Sequence, residues 1–451
     1  MTRRTLLMLL ALAAAVVAAG TLFAPHFADA RVFRPVDFME YQTAGRATLA
    51  GQNPYDGAVL YPYQADIQAT LPPADEAQPG EATRYADPIM MWNPPWTLPL
   101  TLPLGAMHWR VGQLLWTAAN LSAVVLAAVL LWRTFGGDRG RTPVAVGVAV
   151  VFAPTLFLLL LGQISGFLLL GLAGFLRFVV SREPTASGRV ADSLRESGPQ
   201  SLSERAPHPN LWLAGLFAAL TAIKPHLLAP FALVLVLDTL RGGRVWRPVV
   251  TGGLAVLLFS LLPLFWNPHV WVQYREATAA QSAGTHNTPS EWMHPTLGYW
   301  LRTLHPERPM ALMFLPLAVA VPLVVGYWWV RRRDWHWPTE LPRLVLVSLL
   351  TAPYGAWGFD LVLLLVPVVQ AAGWVTADRR RWVGWAFGGA FLGLNLLALV
   401  ALRFENSMAN PWLTPAITVG YLFVGWVTRT GSTPESPRTA VRGIGTEVLP
   451  S

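Results

Sequence analysis

The residues best suited to chemistry are one amine and a few carboxylates. Lys224 is the only lysine in a chain of 451 residues, and it ends a mostly apolar run that begins at Ala214 and stops at Pro225. An ammonium at bilayer centre costs roughly 2.5–3.5 kcal/mol, so one kept at membrane depth marks a group that meets an anion resident in the membrane, a lipid phosphate first of all. His226 lies two residues on, and Arg302 is a further cation that could share that role. Snorkelling to the headgroups is the plain alternative for Lys224.

Asp37 stands in Arg34-Pro35-Val36-Asp37-Phe38-Met39-Glu40-Tyr41, and Gly51-Gln52-Asn53-Pro54-Tyr55 follows. Pro35 suits a first helical position and Gly51 with Pro54 a helix end, which predicts a short helix stopped by a turn. Asp37, Glu40, Tyr41 and Ala44 then share one face. Asp37 either favours the positive end of the helix dipole or serves as a general base, with Tyr41 orienting or stacking on a sugar. Asn53 and Tyr55 shape the turn or join the same site.

Further along, Trp92-Asn93-Pro94-Pro95-Trp96 opens a stretch too proline-rich for a regular helix and too apolar for a solvated loop. Non-helical backbone at that depth is tolerated only against protein or a wet cavity, so Asn93 is a candidate wall of a site. Gln163, in Gly162-Gln163-Ile164-Ser165, suits a sugar hydroxyl or phosphate oxygen as well as a turn. Trp357 and Asp360, in Pro353-Tyr354-Gly355-Ala356-Trp357-Gly358-Phe359-Asp360, suggest a stacking plane and a hydroxyl acceptor, with helix capping as the alternative for the carboxylate. His294 belongs to a stretch, Gln281 to Pro295, that mixes polar, small and aromatic residues as carbohydrate binding would need, which makes it a candidate sugar or acceptor contact; His286, Glu291 and His294 match no metal-ligand spacing.

These residues need a scaffold, and composition defines it. The chain is 53% hydrophobic and 13% charged, with no cysteine, which removes disulfides, thiolate metal sites and cysteine nucleophiles. Apolar runs near 5–24, 112–132, 142–161, 164–180, 210–224, 226–240, 248–266, 310–330, 341–354, 359–376, 382–402 and 412–428 give about twelve candidate crossings. The fold class predicted is all-α, a polytopic membrane helical bundle with a helical first outer loop. Asn93 to Trp109 is read as a re-entrant or interfacial piece.

Arginines concentrate on connections such as Arg241 to Arg247, Arg331 to Arg333 and Arg379 to Arg381, so those connections and both termini are expected to be cytoplasmic. That distribution explains the net charge of +8 without nucleic acid. The candidate residues then gather on the outer side. Arg3-Arg4, an apolar run and Ala28-Asp29-Ala30 resemble a secretory signal, but Leu6 to Phe23 exceeds the usual core of about 7–15 residues, which favours an uncleaved helix. Residues 1–430 read as one membrane domain with a long first outer loop at 25–111. Residues 181–210 and 431–451 are rich in Ser, Pro, Gly and charge and are expected to be disordered.

Together Asp37-x-x-x-Tyr41, Gly51-x-Asn53-Pro54-Tyr55, Asn93-Pro94-Pro95, Gly162-Gln163, Ile223-Lys224-Pro225 and Pro353-Tyr354-x-x-Trp357-x-x-Asp360-Leu361 resemble bacterial membrane glycosyltransferases of the GT-C type. The resemblance is to the family of polyprenol-phosphate-mannose-dependent α-mannosyltransferases and related arabinofuranosyltransferases, over about residues 33–430. It implies inverting transfer of a sugar, mannose first, from a polyprenyl-phosphate donor to a lipid or glycan acceptor at the outer face, with no metal or other cofactor and with Asp37 as base. Tyr354 to Asp360 lacks a histidine that some relatives carry near this turn. Two other classes stay open: a transporter or flippase of a lipid-linked sugar, which would tolerate Asp37→Asn, and a structural subunit of an envelope-glycan complex, which would tolerate Lys224→Met.

Overall fold

The computed structural model describes residues 36–68, 88–180, 210–242, 245–282, 296–307, 311–401 and 410–430. The expected crossing at 5–24, residues 181–209 of the stretch 181–210, the stretch 431–451, and His294 lie outside them. The described residues are helical and contain no strand, as the apolar runs predict. The chain folds as a polytopic helical bundle. Among the described residues five helices are long and apolar enough to cross a membrane, or up to seven when two sharply bent pairs each count as one. The other expected crossings that are described form shorter or less apolar helices, such as Ser165–Val179, Trp337–Thr351 and Leu413–Thr430.

In chain order the elements are α1 (Val36–Leu49), α2 (Gly57–Gln68), α3 (Leu98–Gly105), α4 (Trp109–Thr134), α5 (Thr142–Val151), α6 (Ala153–Leu161), α7 (Ser165–Val179), α8 (Leu211–Leu220) and α9 (Ala229–Leu240). They continue with α10 (Trp246–Leu261), α11 (Val270–Ser282), α12 (Leu297–Thr303), α13 (Ala311–Arg331), α14 (Trp337–Thr351), α15 (Leu365–Ala377), α16 (Arg381–Ala401) and α17 (Leu413–Thr430). The segment leading into α15, from Asp360, is almost wholly buried and forms the centre of the core; α10 and α16 bury little and lie on the outside.

Three local features position the site. First, α1 ends as predicted: Gly51 adopts φ +71°, a left-handed conformation open to glycine, and its N–H reaches Thr48 O. Helix α1 is clamped against α3, where a Cβ on Gly45 would come within 2.2 Å of Thr101 O and one on Gly105 within 2.3 Å of Arg46 N. The proline-rich stretch is therefore only partly irregular. After one 3-10 turn at Pro95–Thr97 it forms two turns of α-helix, because Pro99 falls in the first turn, where its missing N–H costs nothing.

Second, the crossing expected at 142–161 is broken between α5 and α6 and bent by 57°. Pro154 cannot donate to the preceding turn, and the strain is relieved by Asn395, whose Oδ1 accepts from Ala153 N at 2.5 Å, and by Thr155 Oγ1, which donates to Ala149 O at 2.7 Å.

Third, Leu211–Ile223 and Pro225–Leu240 meet at an angle of 117°, so the chain doubles back with Lys224 at the elbow. Pro225 pushes Lys224 out of helical geometry, to φ −130° and ψ 75°. Such a break leaves carbonyls unpaired, and the proline-rich stretch pairs them: Trp96 Nε1 donates to Ala222 O at 2.8 Å and Asn93 Nδ2 to Ile223 O at 3.2 Å.

Candidate active site

Gln163 is the hub. Gly162, at φ +74°, ends α6 and packs so closely on Phe38 that a Cβ there would lie 2.7 Å from Phe38 Cβ, while Trp116 Nε1 donates to Gly162 O at 2.6 Å. Gln163 is thereby set against α1. Its Oε1 accepts from Tyr41 OH at 2.8 Å and from Lys224 Nζ at 3.2 Å. A carbonyl oxygen with two donors fixes the amide orientation, and Gln163 lies close enough to Asp37 and Glu40 of α1 to favour their charged forms.

Lys224 also reaches Asp360 Oδ1 at 2.8 Å and Ser165 Oγ at 3.4 Å, and its ammonium lies 4.8 Å from the centre of the Phe359 ring. Ser165 donates to the same Asp360 oxygen, and Trp357 N–H reaches the other at 3.1 Å. Asp360 is fully buried and Lys224 nearly so. The pair holds Lys224 in one geometry, although two desolvated charges recover their hydration cost only when so fully hydrogen-bonded.

Asp37 is half-buried in the first turn of α1. Burial pushes its carboxyl up to about 6; Gln163 and Lys224 draw it down, and Asp360 adds to the rise. Glu40 and Tyr41 are raised well above their ordinary values, burial again being the largest cause.

The expected residues divide by place. Asp37, Tyr41, Gln163, Lys224 and Asp360 come together in one cluster. Tyr41 is fully buried with its ring 5.4 Å from Trp116, which leaves its hydroxyl rather than its face as the contribution to the site. Asn53, Tyr55 and Asn93 form a supporting layer. Asn53 Oδ1 accepts from Tyr55 N at 2.9 Å, Tyr55 OH donates to Asn93 O at 3.1 Å, and Asn93 holds the elbow. His226 stacks on Tyr354 with ring centroids 4.3 Å apart beside Lys224. Trp357 contributes its backbone to Asp360 and packs its ring on the core. Arg302 is buried on α12 with Nη1 3.6 Å from Met313 Sδ, packed on α13.

Ser165 and Trp96 are functional neighbours that the sequence argument passed over. The only signal for Ser165 is its position two residues after Gln163; Trp96 belongs to the stretch expected to be re-entrant or interfacial, which does not specify its bond to Ala222. Among the described residues no group of three or more His, Cys, Asp or Glu could hold a metal ion.

An ammonium oriented on an amide hub beside a carboxylate whose pKa is raised, within a bundle of apolar helices, defines a multi-pass membrane protein with a charged cluster among its helices. Residues 92–356 match glycosyltransferase family 87, and the chain belongs to that family of GT-C type membrane glycosyltransferases. It is also 30% identical over 192 residues to an alpha-(1->3)-arabinofuranosyltransferase of Corynebacterium glutamicum, which covers 42% of this chain and 38% of that protein. The chain thus matches well under half of that relative's length. No solved structure matches. The family match begins at Trp92, so α1, which carries Asp37, precedes it.

Proposed function

We propose that this glycosyltransferase moves a sugar from a polyprenyl-phosphate donor to a hydroxyl of a lipid or glycan acceptor, with inversion, at the outer face of the membrane. The observation that supports this most is that Lys224 and Tyr41 meet on Gln163 while the Asp37 carboxyl lies within electrostatic reach of both Gln163 and Lys224. Asp37 takes the proton of the acceptor hydroxyl, and the oxygen attacks the anomeric carbon. The bond from that carbon to the phosphate oxygen breaks on the opposite side, and its electron pair leaves on the phosphate. The phosphate gains charge as it departs, and Lys224, oriented by Asp360 and Ser165, meets that charge.

A lipid donor is supported by a cavity of about 410 Å³ lined by Trp96, Leu100, Leu216, Ile223, Leu254 and Leu258 among others. Its walls are apolar, several open to the lipid side, and Ile223 adjoins Lys224 in sequence. A prenyl chain lying there would bring its phosphate to the elbow. The two-sided arginine distribution supports an outward-facing site and cytoplasmic termini.

Mannose is the first donor sugar because of the motif resemblance; arabinofuranose is the second reading because of the named activity of the Corynebacterium relative. Purified protein incubated with radiolabelled polyprenyl-phosphate mannose and, separately, arabinofuranose, plus a membrane lipid extract, tests both. Label in a new glycoside from either donor supports the reading; label moved across vesicles with no new glycoside from any lipid-linked sugar overturns it.

A further inference from the structure

Of the aromatic rings near the cluster, the two expected to stack on a sugar are packed away. Tyr41 is fully buried against Trp116, and the Trp357 ring lies on the core. Tyr354 differs from both. It is 42% exposed, six residues before Asp360, and its ring lies on the His226 ring at 4.3 Å with 21° between the planes. Phe314 of α13 meets it at 6.4 Å and 63°. The imidazole covers one face, so the exposure belongs to the edges and the opposite face.

The turn between α14 and α15 is built around that placement. Gly355 and Ala356 both take left-handed backbone, at φ +73° and +54°. Alanine is disfavoured there, so its surroundings must hold it, and residues so held cluster at functional sites. Ala356 is fully buried, and a Cβ on Gly355 would come within 2.7 Å of His226 Nε2. The same turn sends Trp357 N–H to Asp360 at 3.1 Å. Elbow and turn are thus joined twice, by Lys224 on Asp360 and by His226 on Tyr354.

Along the elbow, three environments follow in chain order. Ile223 lines the apolar cavity, Lys224 supplies the ammonium, and His226 backs the exposed ring of Tyr354. A lipid-phosphate sugar has three parts in the same order: hydrocarbon, phosphate and sugar ring. We propose that Tyr354, held from behind by His226, is the plane on which the donor's sugar ring stacks. A sugar turns an apolar C–H face to such a ring and keeps its hydroxyls at the rim, which an aromatic face with a polar edge suits. This assignment deepens the reading of a polyprenyl-phosphate donor and rests on it.

The test measures the affinity of purified wild type, Tyr354→Phe and Tyr354→Leu for polyprenyl-phosphate mannose, polyprenyl-phosphate arabinofuranose and sugar-free polyprenyl phosphate, beside their thermal midpoints. Wild type should hold at least one sugar-bearing lipid more tightly than the sugar-free one. Tyr354→Leu should bind that lipid about tenfold more weakly, with its affinity for polyprenyl phosphate and its midpoint unchanged. Tyr354→Phe keeps the ring and should restore the preference. Equal losses toward sugar-bearing and sugar-free lipids, no loss at all, or no preference in the wild type would overturn the stacking plane. So would a loss in Tyr354→Phe as large as in Tyr354→Leu, which would make Tyr354 a hydroxyl contact. A wild type that binds none of the three lipids would instead overturn the donor reading underneath, and the assignment with it.

Discussion

At the scale of single residues, the account turns on Asp37 being ionised when it works. Its carboxyl is held up to about 6, so below that pH it is protonated and cannot accept the acceptor's proton. kcat/KM should therefore rise as pH passes upward through about 6 and level off above it, and a profile flat from pH 5 to 8 would contradict the role. Lys224 carries a structural as well as a chemical duty. Lys224→Met leaves Asp360 buried without its cation, and breaking such a pair costs about 3–5 kcal/mol, so its thermal midpoint in detergent should fall together with its activity. The double variant Lys224→Met with Asp360→Leu should recover much of that stability but no activity. Recovery of both would reduce Lys224 to a packing residue.

Asp37, Gln163, Lys224 and Asp360 were all legible in the sequence as candidates, because polar groups in apolar surroundings are costly enough to stand out. Their partnerships were not. Asp360 was expected to face a sugar hydroxyl and instead grips Lys224 across 136 positions of chain, a pairing that no local pattern encodes. Tyr41 looked like a stacking plane until its ring proved to be packed on Trp116.

At the scale of elements, the decisive devices are two helix breaks and one close crossing. The Lys224-Pro225 elbow was foreseeable from proline chemistry, but its cap was not. Asn93 and Trp96 lie more than a hundred residues away, and the sequence marks only a candidate wall at Asn93 and a re-entrant or interfacial stretch that contains both. The break before Pro154 was missed because the run 142–161 is apolar throughout, and hydropathy does not register a bend. At the crossing of α1 and α3, Gly45 and Gly105 admit backbone to backbone, so Gly45→Ala should push α1 away from α3 and with it Asp37 from Gln163. Overpacking of this kind costs typically 1–3 kcal/mol, more than the 0.5–1 kcal/mol that alanine gains over glycine inside a helix. The expected outcome is a lower thermal midpoint and a loss of transfer; a Gly45→Ala protein as stable and active as wild type would show that the crossing does not hold the site.

At the scale of the whole molecule, the bundle places Lys224 next in sequence to Ile223, which lines an apolar cavity whose wall residues Leu216, Leu254 and Leu258 are exposed. That arrangement suits a substrate with a polar head and a long hydrocarbon tail. Filling the cavity with Ala255→Trp should raise KM for a long-chain polyprenyl-phosphate sugar about tenfold, equivalent to about 1.4 kcal/mol of lost binding, while leaving a short-chain donor little changed. An equal effect on both would separate the cavity from the donor. The helical membrane architecture was plain from composition, since apolar runs of such length have few other solutions.

The central claim is that one carboxylate on α1 and one ammonium at the elbow act together on a lipid-borne sugar, and its most direct test is the initial rate of glycoside formation by Asp37→Asn in membranes, at matched expression and with the fold checked by thermal midpoint. Positioned acid–base assistance is worth about 10²–10⁴-fold, so the variant should keep its midpoint and lose about that much rate. A correctly folded Asp37→Asn that transfers sugar at a near wild-type rate would contradict the account.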